Sequence, residues 1–397
     1  MKSKKTLQFS FWQTAAFVLG VVLLTVWGMR GLGNLGDLRN LRKGAAEISA
    51  VELKSSLVKK DFTLINVHTP YEAEIERTDV FIKFDEIEKN LQQLPQDKTG
   101  RIILYCKTGK MSETAAKKLA ELGFTNVSHL KGGMEGWRKA GNKTFNIEEL
   151  KKFVLPEGGL AAPVKWGKIG PTLLSLGVID LEKFKKAVNP TEEQMAILTG
   201  ESDQPIVIDS SNSQFIVDVL WALGLAQKSK VYEEGPMGKE YKKDVGNFAS
   251  TGGWTLAKGN AVNYLNKYEI VSLTPDQQKR IFEISKNVYR PCCGNPTSFP
   301  DCNHGMAALG LVELMVAQGL SDEEIYKTVL GFNSFWFSQT YLSLAAHFSL
   351  EGVSWDKVEA KKALGQEFSS GQGAAKISQE IGGLPYLYGT GGGGCGI

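Results

Sequence analysis

The sequence predicts a multidomain protein with an N-terminal transmembrane helix, an α/β domain built on a parallel sheet, and a mostly α-helical domain. Three observations lead to this fold class. Uncharged, largely apolar residues occupy positions 11–29, strand-like runs alternate with helix-like runs over 46–142, and from residue 143 apolar residues recur at three- and four-residue spacing. We therefore divide the chain into an anchor with its linker (1–45), an α/β domain (46–142) and a helical domain (143–397).

The composition is that of an ordinary globular protein. Of the 397 residues, 42% are hydrophobic and 22% are charged, and the length suffices for two or three domains. The formal net charge is only +3, and no dense basic patch occurs along the chain. Nucleic acid is therefore not expected among the partners.

The apolar segment 11–29 is nineteen residues long, just enough for a helix that crosses a bilayer. Lysines precede it at positions 2, 4 and 5, and no small-x-small cleavage site follows it. A cleaved signal peptide is the alternative. We expect an uncleaved anchor, which makes the membrane a partner. The protein would then be single-pass, with its N-terminus inside and its body extracytoplasmic.

The α/β domain is organised around one strand that turns abruptly into a helix. The apolar run 102–105 predicts a buried strand, Cys106 stands at its end, and a helix-like run begins at Ser112. The intervening loop leaves backbone N–H groups without partners, and such groups can surround one anionic sulfur. The helix N-terminus, Lys107 and Lys110 add positive charge, which favours thiolate over thiol at Cys106. A buried structural cysteine is the alternative.

Three segments together resemble the rhodanese (sulfurtransferase) family. They are the six-residue loop that begins with Cys106 and has Gly109 at its fourth position, an upstream strand and its continuation (64–72), and a downstream strand followed by a double glycine and a tryptophan-bearing helix (127–137). The resemblance covers roughly residues 46–142, the length of a small domain. The fold class is therefore refined to an α/β rhodanese-like domain with a parallel sheet.

The resemblance implies a sulfurtransferase that carries sulfane sulfur as a persulfide on Cys106. The residues that would cradle this persulfide are Lys107, Thr108, Gly109, Lys110, Met111 and Ser112. A small anionic sulfur donor, such as thiosulfate or a persulfide, and a thiol acceptor are implied as partners, and no cofactor is required for the transfer. Asn66 and His68 stand where the family usually has Asp and Arg, which bears on rate and substrate more than on fold.

A second group of soft ligands lies in the predicted helical domain, where no family resemblance is recognised. Cys292, Cys293, Cys302 and His304 fall within thirteen residues, and the prolines and glycine between them let the segment fold back on itself. The four side chains could bind Zn or Cu(I). The alternatives are a disulfide from Cys302 to Cys292 or Cys293, redox-active thiols, or inert buried thiols.

Two functions of different classes follow from these sites. The first is a membrane-anchored sulfurtransferase that acts through Cys106. The alternative is a non-catalytic metal- or thiol-handling binding protein that uses the cysteine cluster, with the rhodanese-like part as a docking or carrier module. A scaffold with a vestigial Cys106 is a third alternative. Cys395 follows four glycines in the glycine-rich C-terminal tail, where it is either a candidate thiol that reaches another site or dispensable.

Overall fold

A five-stranded, all-parallel sheet forms the first folded part of the computed structural model, which describes residues 45–389. The strands are β1 (Ala46–Ile48), β2 (Thr63–Asn66), β3 (Val80–Phe81), β4 (Ile102–Tyr105) and β5 (Val127–Leu130). Their spatial order is β1-β5-β4-β2-β3. Strand β4 is therefore central, and all four of its residues are buried, as its unbroken apolar run predicts.

Helices cover both faces of this sheet. They are α1 (Ala50–Val58), α2 (Lys110–Glu121) and α3 (Gly133–Lys139), and a 3-10 helix covers Ile87–Gln93. On one face Leu53 of α1 and Trp137 of α3 pack into a common core. On the other face Leu119 of α2 packs in a second core, which also contains Cys106. The predicted α/β domain with a parallel sheet is confirmed.

The second folded part is mainly helical. Helices α4 to α7 cover Ile147–Val154, Ile169–Leu176, Leu181–Val188 and Glu192–Thr199. Helices α8 to α12 cover Ser213–Ala226, Lys230–Glu234, Pro236–Lys239, Pro275–Ser285 and Asn303–Ala317. Helices α13 to α18 cover Asp322–Trp336, Ser338–Glu351, Ala360–Ala363, Gln366–Ser369, Gly371–Ile381 and Pro385–Tyr388. Short 3-10 helices cover Val245–Asn247, Ala261–Asn263 and Trp355–Lys357.

Helices α8 and α12 form the centre of this part, and nearly every residue of both is buried. A helix that is apolar on all sides has to be surrounded by protein. The two helices meet at glycines, because a Cβ on Gly224 would lie 2.2 Å from the carbonyl oxygen of Met306, and one on Gly310 would lie 2.4 Å from that of Leu220. Their axes can therefore approach more closely than larger residues would allow.

An antiparallel hairpin accompanies the helices. Strand β6 (Leu160–Gly167) pairs with β7 (Ser202–Ile208). The sequence indicates a short strand or extended segment near β7, but it does not lead us to predict β6. The signal is present nevertheless, since Ala162, Val164 and Trp166 are buried in alternation with exposed neighbours.

Backbone pairing and ring stacking connect the two parts. The N–H of Glu74 donates to the carbonyl oxygen of Phe145 at 2.8 Å, and the N–H of Phe145 donates back at 3.1 Å. The rings of Tyr71 and Tyr386 stack with centroids 3.7 Å apart. The α/β part therefore contacts both Phe145, which precedes the first helix of the second part, and the last helix of that part.

The predicted transmembrane helix requires a correction to the fold class. Within residues 45–389 no helix is long and apolar enough to cross a membrane. The longest helices there have 15 residues and reach about 22 Å, short of the roughly 30 Å hydrocarbon core of a bilayer. The fold class is thus an α/β domain plus a helical region. The single-pass membrane localisation, with the N-terminus inside and the body extracytoplasmic, is not supported, nor is the membrane as a partner. The segment 11–29 itself lies outside the described residues.

Candidate functional site

Strand β4 delivers Cys106 to the carboxyl edge of the sheet, where open α/β sheets place their sites. The chain then turns through three loop residues into α2, which begins at Lys110. Gly109 caps this helix with a φ of 95°, a left-handed conformation that glycine adopts without steric cost. Cys106 is only 1% exposed, so its sulfur is shielded from solvent.

Three donors point at this sulfur. The N–H of Gly109 lies 3.2 Å from Sγ of Cys106, the N–H of Ser112 lies 3.4 Å from it, and the Ser112 hydroxyl lies 3.5 Å from it. The N–H groups of Thr108, Lys110 and Met111 donate to no acceptor among residues 45–389. Backbone donors at the start of a helix, two of which contact this sulfur while others are unpaired, form a binding place for an anion.

The N-terminus of α3 holds this loop in place from outside. The N–H of Met134 donates to the carbonyl oxygen of Cys106 at 2.8 Å, and the N–H of Glu135 donates to that of Lys107 at 3.0 Å. These two hydrogen bonds hold the loop in the conformation in which the N–H groups of Gly109 and Ser112 donate to the sulfur. The approach requires Gly133, since a Cβ there would lie 2.2 Å from the carbonyl oxygen of Cys106.

One carboxylate pairs with two of the positive charges beside the loop. Lys107 forms an ion pair with Glu72 at 2.8 Å, and Arg138 binds the same carboxylate at 3.1 Å. The hydrogen bond from Lys107 is the main reason that the pKa of Glu72 is below its ordinary value, so Glu72 is ionised at neutral pH. The positive charge of Lys107 is therefore shared with Glu72, while Lys110 remains exposed at the start of α2.

The two positions that depart from the family pattern have structural contacts. The side-chain amide of Asn66 donates to the carbonyl oxygen of Ala73 at 3.0 Å, and its oxygen accepts from the N–H of His68 at 3.1 Å. The ring of His68 lies 3.6 Å from Glu72. Burial lowers the pKa of His68, which keeps the ring neutral near pH 7. Both residues thus shape the segment that carries Glu72.

The fold and this loop define the class of the first part: an α/β domain that presents an anion cradle around a cysteine at a strand end. A family model of the Rhodanese-like domain matches residues 50–140. The chain therefore contains a rhodanese-like domain, and the predicted resemblance is confirmed.

Individual proteins match short stretches of the chain. The probable adenylyltransferase/sulfurtransferase MoeZ of Mycobacterium tuberculosis is 43% identical over 51 residues, which are 13% of this chain and 12% of that protein. The adenylyltransferase and sulfurtransferase UBA4 of Candida albicans is 38% identical over 72 residues, 18% of this chain and 16% of that protein. The chain thus spans less than a fifth of either relative. A rhodanese-related protein from Thermoplasma volcanium, with a solved structure, is 24% identical, with a TM-score of 0.22 over 25% of this chain and 96% of that one.

The fold brings together three of the four residues that the sequence suggests as metal ligands. The sulfurs of Cys292, Cys293 and Cys302 all lie within 4.8 Å of one another, and the Cys292 and Cys302 sulfurs are 3.3 Å apart. His304 is not in this group. Its ring lies 4.5 Å from that of Phe337, and burial lowers its pKa to about 4.

Arg290 is the residue that sequence reasoning missed in this region. It is fully buried, and its Nε donates to the sulfur of Cys302 at 3.1 Å. Hydrogen bonds from the Cys292 and Cys293 thiols, together with Arg290, hold the pKa of Cys302 well below its ordinary value. An arginine directly before a Pro-Cys-Cys run is the only local signal for this contact. Cys395 lies outside the described residues.

Proposed function

We propose that the rhodanese-like domain is a sulfurtransferase that carries sulfane sulfur as a persulfide on Cys106. The observation that supports this most directly is the set of N–H donors around the Cys106 sulfur. Gly109 and Ser112 donate to it at 3.2 and 3.4 Å, and such donors stabilise a thiolate. The two curated relatives quoted above are both named as sulfurtransferases, which agrees with this chemistry.

The transfer takes two displacement steps. The Cys106 thiolate attacks the outer sulfur of a donor such as thiosulfate, the donor's S–S bond breaks, and sulfite leaves with the electron pair. The enzyme then carries a Cys106 persulfide anion. An acceptor thiolate attacks the outer sulfur of this persulfide, and Cys106 leaves as thiolate. Sulfur has moved from donor to acceptor, and no additional oxidant or reductant is consumed.

The loop supplies the stabilisation that each step needs. Negative charge stays on sulfur throughout, so fixed donors near it lower the barrier without having to reorganise. Gly109 and Ser112 already contact the inner sulfur. The N–H groups of Thr108, Lys110 and Met111, which donate to no acceptor among residues 45–389, are available to the outer sulfur and to an anionic donor.

Replacing the nucleophile tests the proposal. The variant Cys106→Ser should transfer no sulfur from thiosulfate to a thiol above the uncatalysed rate. Intact mass of the unmutated protein after thiosulfate treatment should increase by one sulfur atom, located on the peptide that contains Cys106. Cys292→Ser is the matched control, because Cys292 is an exposed cysteine in the helical part, and it should keep full activity. Turnover retained in Cys106→Ser would end the proposal.

A further inference from the structure

The cysteine cluster of the helical part is constructed from two separate segments. Cys292 and Cys293 lie in the loop that follows α11, whereas Cys302 is the N-cap residue of α12 and its sulfur accepts from the N–H of Gly305 at 3.3 Å. All three sulfurs lie within 4.8 Å of one another. A structural role for one cysteine would not require three of them to converge.

A buried guanidinium frames the cluster. Arg290 donates through Nε to the Cys302 sulfur at 3.1 Å, through Nη1 to the Asn295 carbonyl at 2.8 Å, and through Nη2 to Asp301 at 2.7 Å. It packs flat against the first turn of α12, where a Cβ on Gly305 would lie 2.4 Å from its Cζ. The donors are thus fixed in position before any ligand binds.

This frame favours a sulfur that keeps its negative charge. A fully buried arginine needs an acceptor for each of its N–H groups, and the Cys302 sulfur is the acceptor for Nε. A thiolate, free or bound to a metal, accepts that hydrogen bond well. A disulfide sulfur accepts poorly, and a Cys302–Cys292 disulfide would also leave Cys293 unused.

We propose that Cys292, Cys293 and Cys302 bind one thiophilic d10 metal ion, Zn²⁺ or Cu⁺, through three thiolates. Ligand sulfurs about 2.3 Å from a zinc ion lie about 3.8 Å apart in tetrahedral geometry. The closest pair here is 3.3 Å apart and every pair lies within 4.8 Å, so small side-chain adjustments suffice. Cys292 is exposed, which gives the ion access from solvent and leaves any fourth position open. His304 is no ligand of this site, because it packs on Phe337.

Titration of the reduced, chelator-stripped full chain tests the site in two arms. One arm uses Co²⁺ as a spectroscopic substitute for Zn²⁺ and the other uses Cu⁺ with a competing chelator. At least one arm should show one ion per chain, with sulfur-to-metal charge-transfer absorption. The variant Cys302→Ser should weaken binding by more than about 100-fold, beyond the typical cost of losing an outer-shell contact. Serine still offers an oxygen to Gly305 and Arg290, which protects the fold. Cys106→Ser is the control and should bind as tightly as the unmutated chain.

Alkylation of the unmutated protein gives a readout that needs no variant. The bound ion should protect Cys292, Cys293 and Cys302 from a neutral alkylating reagent, while the rate at Cys106 stays unchanged. Failure of both ions to bind, binding undiminished in Cys302→Ser, or equal alkylation of the three cysteines with and without metal would overturn the proposal.

Discussion

Glu72 is the residue that sets the charge beside the Cys106 loop, since its carboxylate binds both Lys107 and Arg138. Glu72→Gln should release these two cations and increase kcat/KM for thiosulfate by up to about fivefold, because the released cations attract the anionic donor but are screened by solvent. The gain should shrink as salt is raised from low to physiological concentration. Steady-state rates at several ionic strengths measure it.

Glu113→Gln is the matched control for this charge effect. Glu113 lies on α2 of the same domain and pairs with Lys117 at 2.6 Å, so the substitution changes the net charge equally while leaving the Glu72 contacts intact. It should leave the rate with thiosulfate nearly unchanged. An equal gain in both variants would mean that net charge, and not the release of Lys107 and Arg138, is responsible.

The sequence led us to Cys106 and its loop but not to Glu72. The loop is local, with strand, cysteine, glycine and helix within about a dozen residues, so its geometry leaves a readable pattern. Glu72 reaches Lys107 from 35 positions earlier in the chain, and no spacing rule relates the two. The same holds for Arg290 and Asp301, because ion pairs formed by folding are specified by the tertiary structure alone.

At the scale of elements, the first turn of α3 positions the sulfur loop. Gly133 has a φ of 55°, and a Cβ there would collide with the carbonyl oxygens of Cys106 and Lys107 at 2.2 and 2.6 Å. Gly133→Ala should therefore reduce the free energy of unfolding by about 2–5 kcal/mol, combining left-handed strain with overpacking. Sulfur transfer should fall at least about tenfold as the loop shifts. Chemical unfolding and steady-state assays measure the two effects.

Gly141→Ala is the control that introduces backbone strain without a steric collision of the added Cβ. Gly141 also has a positive φ, 84°, but nothing lies within 4 Å of the Cβ it would gain. This variant should lose only about 1–2 kcal/mol and keep its sulfur transfer. Equal losses of activity in the two variants would show that the contact between α3 and the loop does not position the sulfur.

Helix starts are the elements that the sequence signals most directly. The capping boxes at Ser49, Thr274 and Ser321 are all formed, because each depends on two side chains three residues apart. Helix ends are less predictable, because the helix that starts after Ser321 continues to Trp336 although no local signal marks that end. Its last turns are stabilised by burial of Phe332, Phe335 and Trp336, a tertiary effect with no local stop signal.

At the scale of the whole molecule, the two folded parts share a boundary that the sequence shows only as a change of pattern. Gly141 to Thr144 look like a domain boundary, yet Phe145 pairs with Glu74, and Tyr386 stacks on Tyr71 from more than 300 positions away. Contacts between residues so far apart in the chain produce no periodic pattern in the sequence. The packing of the helical part against the sheet domain therefore emerges only from the structure.

Glu74 makes this boundary sensitive to pH. Its side chain is 1% exposed, its Oε1 has no hydrogen-bond partner within the described range 45–389, and burial raises its pKa from 4.5 to about 8. The folded protein therefore keeps a proton on Glu74 that the unfolded chain releases above pH 4.5. The stability that this proton contributes is full below pH 4.5 and is lost progressively as the pH rises through about 8.

Glu74→Gln should remove this part of the pH dependence, because a neutral amide has no proton to lose. The difference in unfolding free energy between variant and unmutated protein should change by up to about 1.4 kcal/mol per pH unit between pH 4.5 and 8, with the variant gaining as the pH rises. Chemical unfolding at a series of pH values measures it. For Glu113→Gln the difference should stay flat over that window, since Lys117 keeps the pKa of Glu113 below its ordinary value. Parallel curves for Glu74→Gln and the unmutated chain would show that Glu74 is already ionised in the folded protein and that the boundary accommodates its charge.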